Sequence, residues 1–114
     1  MKRKEIWLIN LDPTIGAEIK KTRPAVIISS NDLGTLPLRI IAPITEWKPH
    51  YTQVPWMVKI QPNQNTGLTK ISAVDFFQIR SVSTTRFIHQ LGIIDDKSMK
   101  SALEAVAEVL EIPT

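Results

Sequence analysis

The sequence predicts a mainly β protein: about six short strands in a small antiparallel, barrel-like or strongly curved sheet, with one C-terminal helix packed on it. Three observations carry this reading. Short runs rich in Val, Ile and Trp recur between clusters of Gly, Pro, Asn and Asp. Helical spacing of apolar residues is clear in one place, near the C-terminal end. The 114 residues suffice for one domain with a core of its own, and 43% apolar with 22% charged residues is an ordinary globular mix. No repeat, linker or low-complexity stretch divides the chain, so residues 1–114 are read as a single domain.

The first strand is Glu5 to Leu11, ended by Asp12-Pro13-Thr14, where proline stops the ladder and aspartate favours a turn. A loop follows, flexible at Gly16 and basic at Lys20-Lys21. Pro24 to Ser29 forms the second strand. Its unbroken β-branched run Val26-Ile27-Ile28 predicts burial on both faces, and proline is tolerated at its first residue. Ser30 to Gly34 is a turn cluster. Leu38 to Thr45 is the third strand, and Pro43 near its end predicts an edge position or a bulge. Glu46 to Thr52 is a polar loop, Trp56 to Ile60 a short strand, and Gln61 to Gly67 the clearest loop. Ser72 to Val82 reads as one or two strands, and Arg86 to Ile94 as another strand or the approach to the helix. The helix spans about Lys97 to Glu111. Asp95 or Asp96 is its N-cap, and Met99, Ala102, Leu103, Val106 and Leu110 form one apolar face. Pro113 closes it, and the last residues form a tail.

Several function classes are excluded. There is no cysteine, hence no disulfide, zinc–cysteine site or thiol nucleophile, and the composition fits a reducing cytosol. The basic start Met1-Lys2-Arg3-Lys4 precedes an apolar run too short for a signal peptide, and no stretch approaches a membrane span. His50 and His89 are far apart, and His89 reads as a half-buried strand residue. No His/Asp/Glu cluster has metal-ligand spacing, and no P-loop, G-x-G-x-x-G or G-x-S-x-G motif is present. Neither a metal nor another cofactor is expected.

The charge is uneven. Residues 1–90 hold 12 Lys/Arg and 6 Asp/Glu, whereas residues 91–114 hold 2 and 5. A basic body with an acidic tail fits a polyanion partner, or else a solvated helix face. Three residue types suit work on a phosphate. Arg23 stands at the root of a buried strand and offers a planar fork of donors. Thr45 ends an apolar strand at a loop, where its hydroxyl can face a cleft. Glu18, in the Gly16 loop, can accept a proton. Taken singly, each is also an ordinary surface feature.

Ile6 to Glu18 followed by Thr22-Arg23-Pro24-Ala25-Val26-Ile27-Ile28-Ser29 resembles the N-terminal signature of the MazF/PemK toxins, the ribonuclease halves of bacterial toxin–antitoxin pairs. Ala42-Pro43-Ile44-Thr45 resembles that family's third-strand end, and Val74 to Val82 its later Asp-Gln-x-Arg strand. The resemblance implies an SH3-like sheet of the CcdB/MazF type with a C-terminal helix, assembled as a homodimer. It implies metal-independent, sequence-specific cleavage of single-stranded RNA, restraint by a cognate antitoxin, and operator DNA binding together with that antitoxin. Its catalytic arginine falls on Arg23, its catalytic threonine on Thr45 and its loop glutamate on Glu18. One departure stands out: where relatives carry an acid before the Gln-x-Arg glutamine, and some an arginine two residues earlier, this chain has Phe77 and Asp75. Phe77 stacks a base or fills core, and core is the expectation.

The implied chemistry is attack by the substrate's own 2′-hydroxyl, giving a 2′,3′-cyclic phosphate and a 5′-hydroxyl. Arg23 would stabilise charge on the pentacovalent phosphorus, Thr45 orient the phosphate and Glu18 take the proton. The general acid is left unassigned. Trp47, His50 and Tyr51 stack bases or anchor their loop. Lys20, Lys21, Lys48 and Arg86 track the phosphate backbone, and Gln78 and Arg80 are further RNA contacts. The rival readings are a catalytically silent DNA-binding subunit, or a gyrase-directed toxin of the same fold. The latter relies on a C-terminal Trp-Gly-Ile, where this sequence reads Glu111-Ile112-Pro113-Thr114.

Overall fold

The computed structural model describes residues 1–113; Thr114, the end of the expected tail, lies outside the described residues. The strands are β1 (Glu5–Asn10), β2 (Thr22–Ile27), β3 (Leu38–Glu46), β4 (Met57–Ile60), β5 (Ser72–Asp75), β6 (Arg80–Ser83) and β7 (Phe87–Ile93), and the helix is α1 (Asp96–Leu110). Short 3-10 turns occupy Pro49–Gln53 and Thr84–Arg86. The sheet order is β4-β5-β3-β2-β1-β7, with β6 also paired to β3. Each of these pairings is antiparallel. The sheet does not close, and β4 and β7 are the ends of its path. No helix among the described residues is long and apolar enough to cross a membrane.

The stretch from Ser72 to Val82 divides into β5 and β6, which brings the strand count to seven. The break comes at Asp75, whose carboxylate accepts the Phe77 backbone N–H at 2.9 Å and turns the chain out of the ladder. Both halves return to the same partner: β6 pairs with Leu38–Ile41, β5 with Ile44–Glu46. Ala42 and Pro43 fall in the handover, outside both ladders on that side. Pro43 is therefore in the central strand, not at an edge, at a point where the ladder loses no donor.

Side chains alternate across β2 and β3 and divide the core. Val26, Ala42 and Ile44 join Met99, Ala102 and Ala105 in the larger cluster, beneath α1. Ala25, Ile27 and Ile41 join Ile9, Leu11 and Val82 on the opposite face, with Ile19 of the β1–β2 loop packed on them. One face of the sheet thus carries the helix, and the other carries the loop that leads to Arg23.

Asp95 caps α1, its carboxylate accepting the Ser98 N–H at 2.7 Å, and Glu111 ends it in the left-handed region. The buried face is Met99, Ala102 and Ala105, with Val106 beside them. Leu103 and Leu110 instead point outward, about half exposed. Small alanines at the contact turn the helix away from its leucines. Two further expectations are corrected. His89 is exposed on the end strand β7. Phe77 is 61% exposed, because the Asp75 turn aims Phe76 into the core and Phe77 out, against Trp56.

Candidate active site

The β2–β3 ladder runs Ile27 to Ile41, Val26 to Ala42 and Ala25 to Pro43. Continued by two residues, that register sets Arg23 across from Thr45, on the face of Ala25, Ile27 and Ile41. The two side chains line one cleft of about 210 Å³, together with Glu46, Thr69, Lys70 and Ser72. β2 is wedged between β1 and β3, Arg23 itself pairing with Ile9, so the guanidinium rises from sheet and not from a free loop. Arg23 is exposed, and its Nε donates to the Lys20 carbonyl at 3.3 Å. Its two terminal nitrogens have no hydrogen-bond partner among the described residues, so a planar pair of charged donors faces the cleft without a carboxylate clamped to it.

Sequence reasoning missed Glu46, Thr69 and Lys70. The signal for Lys70 was legible: a lone cation between the Gly67 turn and a buried strand. Its proximity to Arg23 was not, because it follows from β5 pairing with the end of β3.

Glu18 lies in an adjoining groove of about 350 Å³, lined also by Ile19, Pro43, Phe77, Gln78 and Arg80. Pro43 and Thr45 are alternate residues of β3, so groove and cleft succeed one another along one face. The Glu18 carboxylate accepts the Ile15 N–H at 2.6 Å and closes a turn within its own loop. The structure thus brings Arg23 and Thr45 together and leaves Glu18 in a separate groove farther along the same face.

The residues assigned to RNA contact fall into three groups. Trp47, His50 and Tyr51 form one aromatic cluster just beyond Thr45. Tyr51 stands edge-on to Trp47 at 5.6 Å and to His50 at 4.6 Å, and the Lys59 ammonium lies 5.3 Å from the Trp47 ring centre. Lys20, Lys21 and Lys48 are exposed. Gln78, Arg80 and Arg86 turn inward to the β1–β2 loop: Arg80 donates to the Leu11 carbonyl at 3.1 Å, and Arg86 to those of Asn10, at 3.1 Å, and Asp12. The Gln78 amide meets both Ala17 and Ile19. Burial pushes the Asp75 carboxyl above its ordinary range, while N–H groups of Phe77 and Gln78 pull the other way. Among the described residues no three His, Asp or Glu side chains gather where they could share a metal ion.

The chain has relatives. The chain is 28% identical to endoribonuclease MazF9 of Mycobacterium tuberculosis, over 98% of each chain. It is 33% identical to endoribonuclease MazF of Staphylococcus saprophyticus, over 93% of this chain and 88% of that one. Among solved structures, MazF from Deinococcus radiodurans superposes with a TM-score of 0.80 at 21% identity, covering 98% of this chain and 97% of that one. A mycobacterial endoribonuclease in complex with its cognate antitoxin superposes at 0.79, with 18% identity, over 100% and 98%. The model of the PemK-like, MazF-like toxins of type II toxin–antitoxin systems matches residues 2–110, and the chain belongs to that family.

Proposed function

We propose that this protein is an endoribonuclease toxin that cuts single-stranded RNA at short sequences, without a metal, and is held in check by a cognate antitoxin. The observation that carries the reading is the meeting of Arg23 and Thr45 in one cleft, just beyond the end of the β2–β3 ladder, with Lys70 beside them and with unclamped guanidinium nitrogens. The relatives named endoribonucleases support it, as does the solved relative held with its antitoxin. The same reading brings a cytoplasmic location, a second copy of the chain, and operator DNA bound jointly with the antitoxin.

In the reaction, the 2′-oxygen loses its proton and attacks the adjacent phosphorus; the bond to the 5′-oxygen breaks, and that oxygen is protonated. Arg23 places fixed donors against the charge that grows on the phosphoryl oxygens, where a preorganised cation lowers the barrier directly. The Thr45 hydroxyl orients the phosphate so that attack is in line. Glu18, in the adjoining groove, takes the 2′ proton once RNA draws its carboxylate from the Ile15 N–H.

The test is digestion of a single-stranded RNA pool in EDTA by wild type and Arg23→Ala. Wild type should cut and leave 5′-hydroxyl ends that a kinase labels without prior phosphatase treatment. Arg23→Ala should lose about 10²–10³-fold in rate. Intact RNA with wild type refutes the reading, and a variant as active as wild type refutes the assignment of Arg23.

A further inference from the structure

We propose that Gln78 is a positioning residue that latches the β1–β2 loop, fixing the segment that carries Glu18 and ends at Arg23, and that it is not a reader of RNA. This rests on the proposed function for its catalytic consequence and on geometry for the latch itself. The Gln78 Oε1 accepts the Ile19 N–H at 2.6 Å, while its Nε2 donates to the Ala17 carbonyl at 3.1 Å. Both ends of one planar amide are matched to a donor and an acceptor two residues apart, as a neighbouring strand would match them. A primary amide is the side chain that supplies both polarities at once.

The latch is anchored at both ends. Behind it, the buried Asp75 carboxylate accepts the Phe77 N–H at 2.9 Å and holds the turn from which Gln78 projects. Asp75 thereby stiffens the base of the latch. Ahead of it, Ile19 packs on the core cluster of Ile9, Leu11 and Val82. The next residue, Lys20, gives its carbonyl to the Arg23 Nε at 3.3 Å. A continuous path thus runs from buried carboxylate to turn, amide, loop and guanidinium. Arg80 pins the loop's other end through the Leu11 carbonyl. The Gln78 amide is held by the loop at both ends, which leaves one N–H and one lone pair, in a fixed orientation, for anything else.

The loop carries its own reporter. Trypsin cleaves after Lys20 and Lys21, whereas Arg23 is shielded by Pro24. Because cutting in a loop follows the population of its open form, Gln78→Ala should be cut there about tenfold faster than wild type, with an unchanged melting temperature. The same variant should lose about tenfold in kcat with KM within about twofold, the mark of misplaced catalytic groups. Gln78→Glu keeps the acceptor for Ile19 but sets a carboxylate against the Ala17 carbonyl, so it should fall between the two in both assays. Equal trypsin rates for wild type and Gln78→Ala overturn the latch. A raised KM with kcat and loop protection unchanged overturns it too, and makes Gln78 an RNA contact. Should wild type cut no RNA, the proposed function falls, and the trypsin comparison decides the latch by itself.

Discussion

Burial works against the charge of Asp75. Asp75 is 4% exposed, and burial raises its pKa above 3.8, with the Phe77 and Gln78 N–H groups opposing. The folded pKa then exceeds the unfolded one. Between the two, the folded state binds more protons, so stability falls as pH rises through that window. Asp75→Asn removes the titration and keeps an oxygen for the Phe77 N–H. Its unfolding free energy should lack that decline, while Glu5 and Asp95, whose pKa values are lowered, act equally in both proteins. Urea unfolding from pH 4 upward checks this; parallel pH profiles for the two proteins would acquit Asp75. Other residues were legible in the sequence to different depths. Arg23 and Thr45 were legible as residue types, and the family resemblance paired them. Their alignment across a ladder is a matter of register, which depends on where β3 starts and which no local pattern encodes. Phe77 was misread because two adjacent phenylalanines look alike until a turn assigns one to each side. That Gln78 and Arg80 bond the β1–β2 loop was not legible, because polar side chains on a sheet are indistinguishable, in sequence, from polar side chains folded back onto a loop.

At the scale of elements, β1, β2, β3 and α1 were readable because each pairs an apolar run with a strong boundary signal: Asp12-Pro13 and Ser30-Asn31 after β1 and β2, the polar stretch that begins at Glu46 for β3, and the Asp95 cap before α1. The β5–β6 break was not, since Phe76-Phe77 carries no turn signature and the lone cue was the aspartate ahead of it. The helix was placed correctly and its face in part: Met99, Ala102 and Val106 pack on the sheet, but Leu103 and Leu110 do not, because periodicity weighs leucine above alanine, while close packing favours the smaller Ala105. Loop 61–67 was legible as a loop, and its role in packing was hidden. Gly67 has φ +69° and an added Cβ would lie 2.1 Å from the Leu91 carbonyl oxygen, whereas Gly34, at φ +66°, faces open space. Gly34→Ala should therefore cost about 1–2 kcal/mol, the penalty of a left-handed backbone alone. Gly67→Ala pays that and must also push the loop off β7, where the Asn65 carbonyl accepts the Ile93 N–H at 2.8 Å. It should cost at least about 2 kcal/mol more. Equal midpoints for the two variants in denaturant would show that the loop yields freely.

Across the whole molecule, charge and architecture divide along the same line. The 2 basic and 5 acidic residues of the last 24 positions belong mostly to α1, which covers one face of the sheet. Arg23 and Thr45 stand on the opposite face, with Lys70 in their cleft and Lys20, Lys21 and Lys48 exposed on the segments that flank it. An RNA strand laid through the cleft meets the basic body and is kept from the acidic helix by the thickness of the sheet. Displacing counterions from single-stranded RNA gives a slope of about −0.7 in log affinity against log salt for each phosphate neutralised. Three or four contacts among these five cations predict a slope of about −2 to −3 for an RNA made uncleavable by a 2′-deoxy sugar at the cut site. Lys70→Ala and Lys48→Ala should each make it shallower by about 0.7, whereas Glu108→Gln on α1 should leave it unchanged. Fluorescence titrations at four salt concentrations separate these cases. If Glu108→Gln moves the slope as much as Lys70→Ala does, the RNA senses net charge and not a track. The division of the sheet into a helix face and a cleft face would then have no part in binding.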